Sequence, residues 1–424
     1  MKKIIVLMGV FVVASLMMTQ DALAIPAFAR RYKTSCATCH IAYPKLNAFG
    51  RAFMYNGYQF PGGVEKDKEQ VKEEEVQMGS EAYKRVWPDA IWPNSISQAI
   101  PLGFVIEAET AYLPNAPSGE PKILFNEIPS ELEILGGGNF SDNISYFAEV
   151  AIAGEEVEIE MAHISFDNIL PNNALSLKVG KIVPLVTPFS NMRRLTAKYW
   201  FANKPLGDNQ WNLDRTQRGF EIRGLLGKEK RFIYSAGLVE GRKNEINEAK
   251  DFYFHAGYKL GGMQLDGTQL ATQAGPSEPW RDNSVRFDAF FYSGRATLIG
   301  GQKDDFTQVG GSLDLYYDRF NLSALVAVQN DDRPVIGQTF DGTGTHFMVE
   351  GTYVLFPWLL PNLRYERFKA TLGDESETDQ RFVPGLVALI RANVKALVTA
   401  EIEKEAEEGD FEIGEIEFAL VFGF

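Results

Sequence analysis

The sequence predicts an all-β fold: a transmembrane antiparallel β-barrel of about sixteen strands, preceded by a small N-terminal module of α-helical or irregular structure. Three observations predict it. From about Ala99 to Phe424, segments of about ten residues alternate apolar and polar side chains between Asn, Asp and Gly turns. Beyond the first residues no stretch approaches ~18 consecutive apolar positions, and mean hydropathy is −0.16. That excludes a bundle of membrane helices but not a barrel, whose strands bury only alternate residues. The residues before this region lack the alternation, and both cysteines fall among them.

The first 24 residues read as a secretory signal: Lys2 and Lys3, an apolar run from Ile4 to Met18, then Ala22-Leu23-Ala24 as a small-residue cleavage site. The mature chain is expected to start at Ile25.

Residues 25–63 form the N-terminal module, which ends at Pro61-Gly62-Gly63 and is rich in aromatics. It contains Cys36-Ala37-Thr38-Cys39-His40, the C-x-x-C-H spacing of c-type haem attachment. Each thiol can add to one vinyl group of the same porphyrin, and the adjacent His40 is placed to ligate the iron. Cys36, Cys39 and His40 are therefore the expected cofactor-binding residues, His40 the metal ligand, and one covalent haem c the expected cofactor. A zinc site lacks partners, because His163, His255 and His346 are scattered; a redox dithiol lacks a βαβ context. Phe28, Tyr32, Tyr43, Phe49, Phe53, Tyr55 and Tyr58, with Ile25 and Pro26, supply an apolar shell that excludes water from a porphyrin. Leu46 to Phe53 is expected to form a short helix that gathers Leu46, Phe49 and Phe53. The second axial ligand is open. Met54 is nearest in sequence, Met78 lies in the connector, and His255, His346 and Met348 are reachable if the module sits inside the barrel.

Charge is unevenly spread. The chain carries −14, and −15 once Lys2, Lys3 and Asp21 are removed; residues 25–63 hold Arg30, Arg31, Lys33, Lys45 and Arg51 with no acid, leaving −20 on residues 64–424. A basic module on an acidic body either pairs with it electrostatically or simply marks a separate domain. No nucleic-acid partner is expected.

Residues 64–98 are a connector, first charged, so a solvated helix or a tether, then extended through Trp87-Pro88 and Trp92-Pro93. Residues 99–424 are the barrel. Candidate strands fall near 99–113, 128–138, 143–153, 157–169, 173–183, 218–227, 231–241, 251–262, 283–296, 304–318, 320–330, 343–356, 359–371, 380–391, 393–404 and 411–424. In the last, Ile416, Phe418, Leu420, Phe422 and Phe424 share one face, and the terminal aromatic resembles the assembly signal of bacterial outer-membrane proteins. The other face, with Glu350, Glu415 and Glu417 among its acids, suits an aqueous lumen. A soluble sandwich would need a very large interior for so many strands, and no blade repeat supports a propeller.

One break, Pro184 to Gln217, is long and aromatic, with Tyr199-Trp200-Phe201 and Trp211. Val179-Gly180-Lys181, Thr187-Pro188-Phe189 and Arg193-Arg194-Leu195 resemble the strand-and-loop region of phosphate-selective porins. The loop either folds inward as a constriction bearing Arg193 and Arg194 or lies outside.

The stretch Ile25–Gly62, with the C-x-x-C-H motif, Pro44-Lys45-Leu46-Asn47-Ala48-Phe49-Gly50 and Asn56-Gly57-Tyr58, followed by a porin-like region, resembles the fused monohaem cytochrome–porin family, which includes outer-membrane iron oxidases. The resemblance implies a haem plug, in the lumen or facing the periplasm of a Gram-negative outer membrane. It implies electron transfer between an extracellular donor or acceptor, Fe(II) among them, and a periplasmic c-type cytochrome, with outer-membrane lipid around the barrel. An Fe(II)-oxidase-like activity follows only if the donor is iron. The alternative is a solute-diffusion porin with a haem-bearing plug or anchor. A haem peroxidase is disfavoured, since no distal His and Arg pair lies near the motif.

Overall fold

The computed structural model describes residues 27–424 except 72–74, 77–84, 87, 89–95, 98–100, 126–128, 191–192, 198–199, 201–203, 214–215, 242–248, 272–277 and 406–408. The signal and its cleavage point, Met78, Trp87, Trp92, Tyr199 and Phe201 lie outside the described residues.

Sixteen long antiparallel strands close into a barrel among the described residues, with one three-residue strand, Ile123–Phe125, paired onto residues 110–112. They are β1 (Leu102–Tyr112), β2 (Glu131–Ser141), β3 (Ile144–Ala153), β4 (Glu156–Leu170), β5 (Leu175–Ile182) and β6 (Gln217–Leu226). Next come β7 (Phe232–Val239), β8 (Asp251–Gly261), β9 (Ser284–Thr297), β10 (Lys303–Tyr317) and β11 (Phe320–Asp331). The last five are β12 (Gly342–Tyr353), β13 (Leu359–Leu372), β14 (Glu375–Arg391), β15 (Val394–Glu405) and β16 (Glu412–Gly423). Each pairs with its sequence neighbours, and β16 pairs back onto β1 to close the seam. There Phe424 N donates to Phe104 O at 2.8 Å and the two rings stack at 5.6 Å. Every strand expected from sequence is present. The largest boundary difference is at β14, which begins at Glu375 rather than near 380: the polar run Glu375-Ser376-Glu377 is exposed beyond a tight Gly373-Asp374 turn, so it shows no alternation to read.

The alternation maps onto two environments. On β8, Phe252, Phe254, Tyr258 and Leu260 are about half exposed, whereas Tyr253 and His255 are buried at 1% and 0%. Large apolar side chains that face outward on a closed barrel need a lipid solvent. Exposed Tyr317, Phe320, Tyr353, Phe356 and Trp358 ring the end where β10 meets β11 and β12 meets β13. They have the character of an interfacial aromatic girdle. Both ends of the barrel sequence lie at this same end, with short turns such as 142–143, 318–319 and 392–393. In outer-membrane barrels that is the periplasmic side.

Among the described residues three helices precede the barrel: α1 (Ala27–Tyr32), α2 (Ala48–Tyr55) and α3 (Val64–Gln70). Helix α2 starts two residues later than expected. Asn47 takes the N-cap, its Oδ1 accepting from Gly50 N at 2.9 Å, so Leu46 falls in a short strand instead. Residues 64–70 of the charged part of the connector are helical, as α3. Glu75–Val76 and Ile96–Ser97 pair outside the barrel.

Candidate functional site

Residues 27–63 occupy the lumen at the end holding the termini. Tyr43 Oη donates to Glu133 Oε2 on β2 (3.0 Å), and Gln59 Nε2 to Asp142 O in the following turn (2.7 Å). Arg223 on β6 donates to Met54 O (3.3 Å), and Arg286 on β9 to Tyr55 Oη (2.9 Å). Lys45 pairs with Glu350 on β12 at 3.3 Å, and Arg51 with Asp314 on β10 at 2.5 Å. Anchors thus come from strands spread around the whole circumference. Both ion pairs join the basic module to the acidic lumen, so the charge asymmetry of the sequence is an intramolecular pairing. Buried Glu350 is part of it, and Glu417 also faces inward.

Within this plug, Cys36–Thr38 forms one 3₁₀ turn in which Cys39 N donates to Cys36 O at 3.1 Å. Asn47 clamps the turn to α2, with Nδ2 donating to Ala37 O and Thr38 O at 3.3 and 3.0 Å, and its own N–H donating to Cys39 O at 3.0 Å. The Pro44-to-Gly50 stretch is thus the strap that sets the motif's shape. Both thiols and His40 open on a cavity of about 540 Å³ enclosed by plug, wall and loop. Its plug side is a connected set of rings: Phe28 edge-on to Phe53 at 5.2 Å, Phe28 stacked on Tyr58 at 5.3 Å, and Tyr32 edge-on to Phe53 at 5.4 Å.

His40 Nδ1 lies 3.2 Å from Pro44 O. A carbonyl only accepts, so Nδ1 carries the proton and Nε2 keeps its lone pair for a metal. Burial lowers the imidazole to about 4, against the small opposing effect of the Pro44 carbonyl, so it is neutral at pH 7. Burial raises the Cys36 thiol and takes Cys39 to about 12, the neighbouring Cys36 adding to the rise. Neither thiol is in a disulfide.

These donors fit a haem. The cavity has the volume of a cofactor pocket. Its wall is mainly apolar, two thiols at C-x-x-C spacing open on it, and a neutral imidazole of fixed tautomer stands beside them. The group would supply a one-electron redox centre.

The structure redistributes the candidates for a second ligand. His255 is committed elsewhere: Nε2 sits 2.7 Å from Asp288 Oδ1, with both side chains fully buried. His346 packs against the Phe368 ring at 4.5 Å, and Met348 lies in the aromatic core of the upper lumen. None of the three borders the cavity. Met54 does border it, but its Sδ accepts from Arg193 Nη2 at 3.1 Å. Two wall residues that sequence reasoning did not single out as ligands, Met161 and His163 of β4, border it instead.

The described residues of the loop from 183 to 216 fold inward. Leu185 N donates to Glu221 Oε2 (2.8 Å), Arg364 Nη1 to Thr196 Oγ1 (2.6 Å), and Ala197 N to Thr399 Oγ1 (3.2 Å). Its Trp211 ring packs on Tyr292 and Phe306 at 4.5 and 5.1 Å. The loop therefore crosses from β6 to β15 above the plug. Arg193 faces the cavity, while the Arg194 guanidinium folds back to Ala197 O at 3.2 Å.

No family model and no curated protein matches this chain. Solved structures do match. The anion-selective porin from Comamonas acidovorans aligns with a TM-score of 0.55 at 12% identity, covering 76% of this chain and 98% of that one. A loop L8 deletion mutant of OmpT from Vibrio cholerae gives 0.51 at 11%, over 76% and 98%. OmpF of Salmonella typhi, complexed with daunomycin, gives 0.50 at 11%, over 76% and 97%. At such identities the likeness is one of fold: the chain is an outer-membrane β-barrel of porin-like architecture.

Proposed function

We propose that this protein is an outer-membrane electron conduit, one c-type haem held in the lumen of a plugged porin-like barrel. It exchanges electrons with an extracellular donor or acceptor, Fe(II) among the donors, on one side and with a periplasmic c-type cytochrome on the other. The observation that carries the reading is the position of Cys36, Cys39 and His40: all three open on one cavity inside a module anchored to strands around the lumen. A module seated in that way closes the path a diffusing solute would take.

Cys36 and Cys39 would hold the porphyrin edge and His40 the iron. Pro44 O keeps the proton on His40 Nδ1. The aromatic shell and the inward loop keep water from the cavity, which is how a protein tunes such a centre through its dielectric. A single centre does not cover a ~30 Å apolar layer, so a soluble partner approaching the terminal end of the barrel is part of the reading.

A second reading, a solute-diffusion porin whose plug or anchor bears a haem, is favoured by the matched anion-selective porin from Comamonas acidovorans. Two measurements on the purified protein separate the readings. In planar bilayers the conduit passes few ions and the porin many. In liposomes loaded with an oxidised c-type cytochrome, an external reductant too large to pass a porin lumen reduces the contents only if the protein conducts electrons. The His40→Ala variant should abolish that transfer while its barrel assembles normally. Porin-like conductance with no transfer would overturn the proposal.

A further inference from the structure

His163 is the one histidine whose surroundings the barrel leaves unexplained. It is 7% exposed, and neither Nδ1 nor Nε2 has a hydrogen-bond partner. A buried imidazole with neither nitrogen paired is costly to keep, and such an orphan in a native fold calls for a missing partner.

Its inward direction is itself a built feature. Along the start of β4, Val157 and Ile159 are exposed to the lipid side. Strict alternation from there would aim residue 163 outward as well. The pairing with β3 instead shifts register: Val150 faces Ile159 and Glu149 faces Met161, leaving Glu160 as an extra residue. After this bulge Ile164 and Phe166 take the lipid face, and His163 turns into the lumen. There it borders the same cavity as Cys36, Cys39 and His40.

The competing donors are engaged or make no demand. Met54 Sδ accepts from Arg193, Lys178 pairs with Glu221 at 3.3 Å, and Lys395 lies over the Tyr43 ring. Met161 faces the cavity, but a buried thioether is a weak acceptor and loses little by having no partner. Among the described residues that border the cavity, only His163 has buried polar side-chain atoms without a hydrogen-bond partner.

We propose that His163 is the second axial ligand of the haem, reaching the iron from the barrel wall while His40 reaches it from the plug. This rests on the haem reading above. It makes the iron a cross-link between module and barrel. It also sets a lower reduction potential than methionine ligation would give.

Spectroscopy of the purified full chain tests it. The expected wild-type visible and paramagnetic resonance spectra are those of a low-spin bis-imidazole haem, with no thioether–iron charge-transfer band. His163→Ala should turn the ferric spectrum high-spin, and added imidazole should restore it. His163→Met should raise the midpoint potential, while Met54→Leu and Met161→Leu keep the low-spin bis-imidazole spectrum. A thioether–iron band in the wild type overturns the proposal whether or not any variant folds, as does an unchanged low-spin spectrum in His163→Ala. Mass spectrometry of the denatured chain distinguishes the deeper failure. A polypeptide mass without porphyrin removes the haem reading itself, whereas a haem-bearing chain with another ligand removes His163 alone.

Discussion

Gly50 and Cys39 touch backbone to backbone. A Cβ built on Gly50 would stand 2.1 Å from Cys39 O and 2.9 Å from its carbonyl carbon. Helix α2 therefore presses directly on the turn that carries the C-x-x-C-H motif. This contact needs the smallest residue because neither partner is a flexible side chain that can move aside.

Gly50→Ala should for that reason displace the motif without disturbing the barrel. Overpacking of this kind costs about 1–3 kcal/mol, more where backbone must shift. The expected result is a clear loss of covalently bound haem in the mature protein, with normal heat-modifiable migration of the barrel on gels. Haem staining against total folded barrel reads the ratio; wild-type stoichiometry in the variant would show that the strap does not shape the site.

Replacing both thiols, Cys36→Ser with Cys39→Ser, should yield a barrel without covalent haem. A module of about forty residues has little apolar core of its own, and one whole side of it faces the cavity of about 540 Å³. Without the group that fills it, the plug should become the segment cut first by protease, at sites within residues 27–70, while β1 to β16 resist. Identical protease patterns for wild type and variant would mean the plug holds itself together.

How far the sequence reached differs between barrel and site. All sixteen strands were legible because a closed barrel between lipid and lumen imposes a period of two on every strand, and Phe254 beside Tyr253 shows it without context. The motif Cys36-to-His40 was legible because its chemistry is local. The inward turn of His163 was not. Its direction depends on one inserted residue, Glu160, whose effect exists only in the register of β4 against β3. Met54 looked closest by number, yet Arg193, 139 positions away, takes its sulfur. His255 looked equally free until Asp288 on the next strand was placed beside it. Long-range pairing decides all three, and periodicity carries no information about it.

The lipid assignment of the outer face makes a direct prediction at Val326, midway along β11 and 51% exposed, next to Leu325 at 2%. An arginine at the midplane of a lipid-facing surface costs about 2–4 kcal/mol. Val326→Arg should reduce the folded fraction in urea titrations of the barrel in bilayers, whereas Val326→Leu should be neutral. Equal stability of the two variants would mean that this face does not meet hydrocarbon.

Arg51 offers the sharpest test that the module is a plug. Its Nη1 donates to Asp314 Oδ2 at 2.5 Å, its Nη2 to the Tyr316 hydroxyl, and its guanidinium lies 5.0 Å from the Tyr316 ring centre. Removing one member of a buried pair strands the other and costs about 3–5 kcal/mol. Asp314 keeps Asn321 and Ser323 as donors at 3.1 Å, so the wall itself should survive Arg51→Ala. The cost then falls on docking of the module, and single channels that are closed in the wild type should show openings in the variant. Arg51→Leu combined with Asp314→Leu removes both charges and should restore closure, because no ion is left unpaired. If Arg51→Ala conducts no more than the wild type, either the pair does not hold the plug or the loop from 183 to 216 seals the lumen alone. Opening of the channel only on further deletion within that loop would identify the loop as the seal.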